Sequence, residues 1–321
     1  MTALSPLQRM ARRGAGRRWR RSAALLTAAL LALEPAARAG HGHGGAPPAP
    51  RSIEAPEEGV WLPMEDYGGR PVVSVRIAEK GPFRFVFDTG ANVAAIGSAF
   101  RAELSLPAAG GMTAVAAGGG PAPEIVVIPE IRLGEMTLRG VIAAVMPGSP
   151  LPPGKDMPQG VLSASALSGY LVTLDYPGRR VSIRRGTLPE PDGRAVFEYG
   201  EGDFPPTIPL RVAGRAMRAH LDTGSGYGIT LPAGLLRELP LGSKPTSAGT
   251  ASTHGGAFPI IQASIQGTIE VGAFPIDAPL VSFADVRSGA DPTIANLGSA
   301  VLRNFVVTLD AKTRRVRFER P

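Results

Sequence analysis

The feature that most constrains this chain is a motif written twice. "FVFDTGANVAAIG" spans 85–97 and "AHLDTGSGYGITL" spans 219–231, so Asp-Thr-Gly follows an apolar strand-like run at Asp88 and again at Asp222, 134 positions later. A longer match lies downstream. "GVLSASALSGYLVTLDYPGRRVSI" (160–183) aligns without a gap on "ANLGSAVLRNFVVTLDAKTRRVRF" (295–318) at an offset of 135, with nine of 24 positions identical. Chance gives about one or two identities, and the two offsets agree within one residue, so the sequence reads as a tandem duplication.

Each copy then has one reading. An alternating strand, with Phe83, Phe85 and Phe87 on one face in the first copy and Met217, Ala219 and Leu221 in the second, runs into Asp-Thr-Gly. A Gly-rich stretch follows, "AAGGMTAVAAGGGP" or "SAGTASTHGGAF", with the pattern of a mobile hairpin. Two more strands, a short helical turn and a closing hairpin complete the copy. With 41 Gly and 32 Pro against only 11 Phe, 5 Tyr and 2 Trp, short strands and many turns are expected rather than long helices. The predicted fold is all-β: two similar lobes related by a pseudo-two-fold axis, each with a short helix near its end.

The +7 net charge is not a nucleic-acid signal. Of the 34 Lys and Arg and 27 Asp and Glu, eight Arg and one Glu fall in 1–39, leaving 26 of each sign and no net charge beyond. That first segment has an Arg-rich start, the apolar run Ala23–Leu33 and "ARA" ending at Ala39, the pattern of a cleaved export signal. Eleven apolar residues are too few for a membrane span, which needs about 20, so no stable anchor is expected after cleavage. The expected organisation is a signal peptide over 1–39, a flexible leader over 40–60, a first lobe over 61–186, a linker over 187–204 and a second lobe over 205–321. The expected location is outside the cytoplasm, periplasmic or secreted.

With no cysteine, disulfides, thiolate metal sites and a cysteine nucleophile are excluded. His41 and His43 behind the cleavage site lack a further ligand at metal spacing, and no metal or cofactor is expected.

Two carboxylates at equivalent places in two similar lobes can be brought together by a pseudo-two-fold axis. Close together they cannot both ionise, so they share a proton, one acting as base and the other as acid. Attack of water on a peptide carbonyl needs that pair. The glycines after Asp-Thr allow a tight turn and close backbone approach.

At these residues the sequence resembles the retropepsin-like aspartic proteases, over nearly all of 70–321, as two consecutive copies. The resemblance rests on the apolar runs into Asp88-Thr89-Gly90-Ala91 and Asp222-Thr223-Gly224-Ser225, and on the segments "VLS" (161–163) and "NLG" (296–298), which stand before each short helix where the family has apolar-apolar-Gly. It implies a catalytic pair Asp88 and Asp222, with Thr89 and Thr223 bracing across the lobes, Gly90, Gly224 and Ser225 in supporting places, and Gly-rich flaps closing over a peptide or protein substrate. A single chain would then form one active site. A monomer is the expectation, with pairing of two chains through their lobes as the alternative.

Two departures from the family pattern stand out. Ser163 replaces the expected Gly, and Asn296 replaces an expected apolar residue. They leave open an inactive peptide-binding protein that keeps the fold, beside the leading expectation of an exported aspartic endopeptidase. A further expectation is that the Ser225 hydroxyl donates to Asp222 and favours its ionised form, since Ala91 offers Asp88 nothing comparable. Asp175 and Asp310, each after "VTL" and before Arg-Arg, are expected to make turn hydrogen bonds or pair with those Arg. His220 is read as a structural histidine and His254 as a solvated loop residue.

Overall fold

The computed structural model describes residues 48–109, 114–116, 123–151, 154–200, 203, 205–253, 256–276, 280–285 and 293–321, with Thr27–Ala28 and Leu31–Leu33. His41, His43 and His254, and most of the first Gly-rich stretch, lie outside these residues. The chain is all-β, and each of its two lobes runs from the Asp-Thr-Gly strand through a short helix and further strands to a second short helix and a closing hairpin.

In the first lobe six strands close on one another. Glu124–Leu133, Met136–Met146, Ala94–Gly97, Gly160–Ser163, Lys80–Asp88 and Arg70–Ile77 are neighbours in that order, and Ile77 pairs with Ile131 to complete the circuit. Alternation places Phe85 and Phe87 at no exposure inside, beside Ile96, Ile128, Ile131 and Leu138. Burial of each such side chain contributes about 1.5–3 kcal/mol. In the second lobe the strand order around the site is Leu280–Phe283, Ile229–Leu231, Ile294–Gly298, Arg215–Asp222, Thr207–Val212. Both Asp-Thr-Gly segments therefore leave a strand that has a parallel neighbour, Asp88 beside Ser163 and Asp222 beside Gly298.

A third, six-stranded sheet joins the lobes. The closing strands Leu171–Asp175 and Val306–Asp310 run antiparallel with Thr173 opposite Thr308, and their hydroxyls are 3.0 Å apart. Residues 135 apart in sequence thus face each other at the pseudo-two-fold axis. The short helices expected near the lobe ends are Ala164–Leu167, of 3-10 type, and Ser299–Leu302.

Two segments hold more structure than expected. The leader contains the strand Ser52–Glu54, paired with Thr137–Arg139, and Ile53 packs on the core. The linker contributes Val196–Glu198 to the edge of the shared sheet, where Val196 and Phe197 are buried. In both places one or two apolar residues suffice to add an edge strand, although the flanking Gly and Pro mask it in the sequence. The second Gly-rich stretch is a hairpin, Thr246–Thr253 against Gly256–Ser264. Thr27–Ala28 and Leu31–Leu33 pair with Ser252–Thr253 and Ala114–Ala116.

Candidate functional site

Asp88 and Asp222 close their strands and come together between the lobes. The point where a Cβ on Gly90 would stand is 2.6 Å from Asp222 Oδ1 and 3.1 Å from Asp88 Oδ1, so those oxygens are at most 5.7 Å apart. A Cβ on Gly224 would likewise collide with the Asp88 carboxylate. Only glycine leaves room for two carboxylates here, and this is the close approach that both motifs require.

Four hydrogen bonds made by the two threonines hold the loops to each other. Thr89 Oγ1 donates to the Leu221 carbonyl at 2.7 Å and accepts from Thr223 N at 3.0 Å. Thr223 Oγ1 donates to the Phe87 carbonyl at 2.6 Å and accepts from Thr89 N at 3.0 Å. Both threonines are fully buried, so each hydroxyl satisfies two backbone groups of the opposite lobe that would otherwise be orphaned.

The two carboxylates have different donors. Asp88 Oδ1 accepts from Gly90 N at 2.6 Å. Asp222 Oδ1 accepts from Ser225 N at 3.0 Å, and Asp222 Oδ2 accepts from Asn296 Nδ2 at 3.0 Å. Burial pushes the Asp88 carboxyl up to about 7, and the charge of Asp222 adds to the rise. The N–H groups of Gly90 and Gly224 and the Arg70 guanidinium oppose it.

The Ser225 expectation is corrected. Its backbone N–H, not its hydroxyl, reaches Asp222, and the hydroxyl accepts from Tyr227 N at 3.4 Å. The turn that brings the Ser225 amide onto Asp222 points the side chain at Gly298, where a Cβ would lie 3.0 Å from Ser225 Oγ. The side-chain donor to Asp222 is Asn296, one of the two departures.

The other departure is also satisfied. Ser163 Oγ donates to the Ala91 carbonyl and accepts from Ser165 N at 3.1 Å, tying the closing segment to the first Asp-Thr-Gly loop. In the second lobe Gly298 leaves that task to Ser299, whose Oγ donates to the Thr223 carbonyl at 2.8 Å.

Three residues at the site carry no motif. Arg70 is buried, and its Nε donates to the Gly224 carbonyl at 2.6 Å across the lobes. Burial pulls its guanidinium below the ordinary value, against the attraction of Asp222 and Asp88. Tyr176 reaches from the first lobe to within 3.4 Å of Ser299 Oγ, and burial raises its hydroxyl. Tyr227 lies in the second Asp-Thr-Gly loop, where burial also raises the phenol. The available signal was asymmetry between the copies, since at the 135 offset Arg70 aligns with Pro205 and Tyr176 with Ala311.

Asp175 and Asp310 stand apart from this centre in turns. Asp175 accepts from Gly178 N and from Arg180 Nε, both at 2.8 Å. Asp310 accepts from Leu188 N at 2.9 Å and Thr313 N at 3.1 Å. His220 is buried with Nδ1 3.3 Å from the Pro205 carbonyl.

Residues 73–166 match the family model described as Aspartyl protease. No curated protein matches the chain.

Proposed function

We propose that this chain, whose residues 73–166 match the family model described as Aspartyl protease, is an exported endopeptidase in which Asp88 and Asp222 together activate water. The observation that carries this reading is the meeting of the two carboxylates, one from each lobe, at loops fastened by reciprocal threonine bonds.

The chemistry follows from the unequal surroundings. With one carboxylate ionised and the other protonated, the ionised one takes a proton from water as the oxygen adds to the peptide carbon. The protonated one gives its proton to the carbonyl oxygen. In the second step the first group passes its new proton to the leaving nitrogen. The second recovers a proton from a hydroxyl of the tetrahedral carbon, and the C–N bond breaks. Acid and amine leave, and the pair returns to its starting state. The hairpin Thr246–Thr253/Gly256–Ser264 serves as one of the flaps over an extended peptide. No metal or cofactor enters these steps.

Export rests on the Arg-rich and apolar start of the sequence, and the working unit is a monomer that builds both halves of the site. The decisive experiment is digestion of a peptide library by the full-length protein across pH beside Asp88→Asn and Asp222→Asn. Cleavage lost in both variants supports the reading. Binding of peptides without cleavage by the wild type would replace it with a peptide-binding role.

A further inference from the structure

The two carboxylates occupy equivalent positions, yet among the described residues only Asp222 receives a side-chain hydrogen bond. Asn296 stands on Ile294–Gly298, the strand parallel to Arg215–Asp222, and its Nδ2 is 3.0 Å from Asp222 Oδ2. At the 135 offset the first lobe has Val161, which has no donor to offer Asp88. Among the described residues Asp88 is served by backbone N–H groups alone, those of Gly90 and Gly224.

This difference is built into the sheet. In the first lobe Val86, Val161 and Ala95 stand side by side in register, within a buried apolar cluster. In the second, the corresponding row is His220, Asn296 and Thr230. Residue 86 lies two positions before Asp88, and 220 two before Asp222, so each row shares its carboxylate's face of the sheet. The face is apolar on the Asp88 side and hydrogen-bonding on the Asp222 side.

We propose that Asn296 is a positioning residue that fixes the ionised state on Asp222 and leaves Asp88 as the proton carrier. The inference rests on the endopeptidase reading and assigns the two roles within it. An amide N–H directed at a carboxylate stabilises the charged form and is lost when that oxygen is protonated. The groups facing Asp222 from the surrounding elements are Asp88, Arg70, Tyr176, Tyr227 and His220. Of these Arg70 carries charge next to the pair, and it attracts both carboxylates. The phenols are raised and stay neutral over the working range. His220 is engaged with the Pro205 carbonyl. The rise of the Asp88 carboxyl accords with the assignment.

The test compares wild type with Asn296→Leu, which keeps similar volume without a donor, and Asn296→Val, which copies the first lobe. The acidic limb of kcat/KM against pH is expected to move up by about one unit, the size of one hydrogen bond to a charged group. KM should change little, and activity above the shifted limb should stay within about threefold of wild type. An unmoved or lowered limb overturns the proposal. So does an equal loss at every pH, which is what a purely structural role would give. A second readout needs no catalysis. In full-length protein with 13C-labelled Asp carboxyls, the lower of the two titration steps of the pair should rise by the same amount in Asn296→Leu. If that step rises but wild type cleaves no peptide, the positioning role stands and the hydrolytic reading falls. If wild type cleaves and the step stays in place, the reverse holds.

Discussion

Arg70 Nε donates to the carbonyl oxygen of Gly224 at 2.6 Å, so a buried cation of the first lobe is fastened to the Asp-Thr-Gly loop of the second. Among the described residues no carboxylate lies within ion-pair distance of this guanidinium, and its charge acts at longer range on Asp222 and Asp88. Arg70 therefore has a mechanical task and an electrostatic one. Arg70→Met removes both. It leaves the Gly224 carbonyl without its donor, at a cost of about 1–3 kcal/mol in denaturant unfolding. It also removes a cation that holds Asp88 down, so the basic limb of the pH-rate profile should move to higher pH. Arg70→Lys retains charge and loses the Nε geometry, and should show the stability loss with a smaller movement of the limb.

Asp88 makes a second prediction, in stability. Its unfolded value is 3.8 and its folded value is about 7. The unfolded chain releases the proton first, so between these values the native state binds more protons and stability falls as pH rises. The stabilisation is fully present below about pH 4 and gone above about pH 7. Asp88→Asn cannot ionise. It should abolish cleavage, yet gain stability over wild type as pH rises, reaching about 2–4 kcal/mol at pH 8 and vanishing near pH 4. Thermal melts of both proteins at the two pH values check it, and equal melting differences at both would show that Asp88 carries no raised pKa.

The glycines of the motifs give a third. A Cβ at Gly90 would stand 2.6 Å from Asp222 Oδ1, closer than side chains tolerate, and the neighbour it meets is a carboxylate of the proposed pair. Gly90→Ala must therefore push the Asp222 carboxylate aside. A displacement of this kind is expected to lower kcat by about 100-fold or more while the circular dichroism stays that of the wild type.

Much of this site was legible because the motif and the strand are one signal. Alternation at Phe83, Phe85 and Phe87 orients the strand, and the orientation delivers Asp88 to its end. The repeat also marks Thr173 and Thr308, which meet opposite each other. What escaped is of three kinds. Arg70 and Tyr176 act across the lobes from positions where the two copies differ, so the repeat that reveals the motif conceals them, whereas Asn296 stands out as a departure and only its bond to Asp222 was missed. The Ser225 hydroxyl was misjudged because the direction of a side chain after a tight turn depends on what the turn packs against, here Gly298. The strands Ser52–Glu54 and Val196–Glu198 were hidden by length, since three residues show too little alternation to stand out from Gly- and Pro-rich surroundings.

The reciprocal threonines give the last prediction. Thr89 and Thr223 each donate to one carbonyl and accept from one N–H of the other loop, so the four bonds form a closed set in which every partner is buried. Valine has nearly the same shape and no hydroxyl. Thr89→Val leaves the Leu221 carbonyl and the Thr223 N–H unsatisfied, at about 1–3 kcal/mol for each group, so a loss of about 2–6 kcal/mol is expected. Thr223→Val should cost the same, through the Phe87 carbonyl and the Thr89 N–H. In the double variant the Leu221 and Phe87 carbonyls and both N–H groups are stranded. Its loss should fall short of the sum of the singles, because the loops, once freed, separate enough to admit water. Serine keeps the hydroxyl, and Thr89→Ser should cost only about 1 kcal/mol, the burial of one methyl group. The pattern valine large, serine small, double less than additive separates a hydrogen-bonded brace from simple packing, which would rank serine as the more damaging change at both positions.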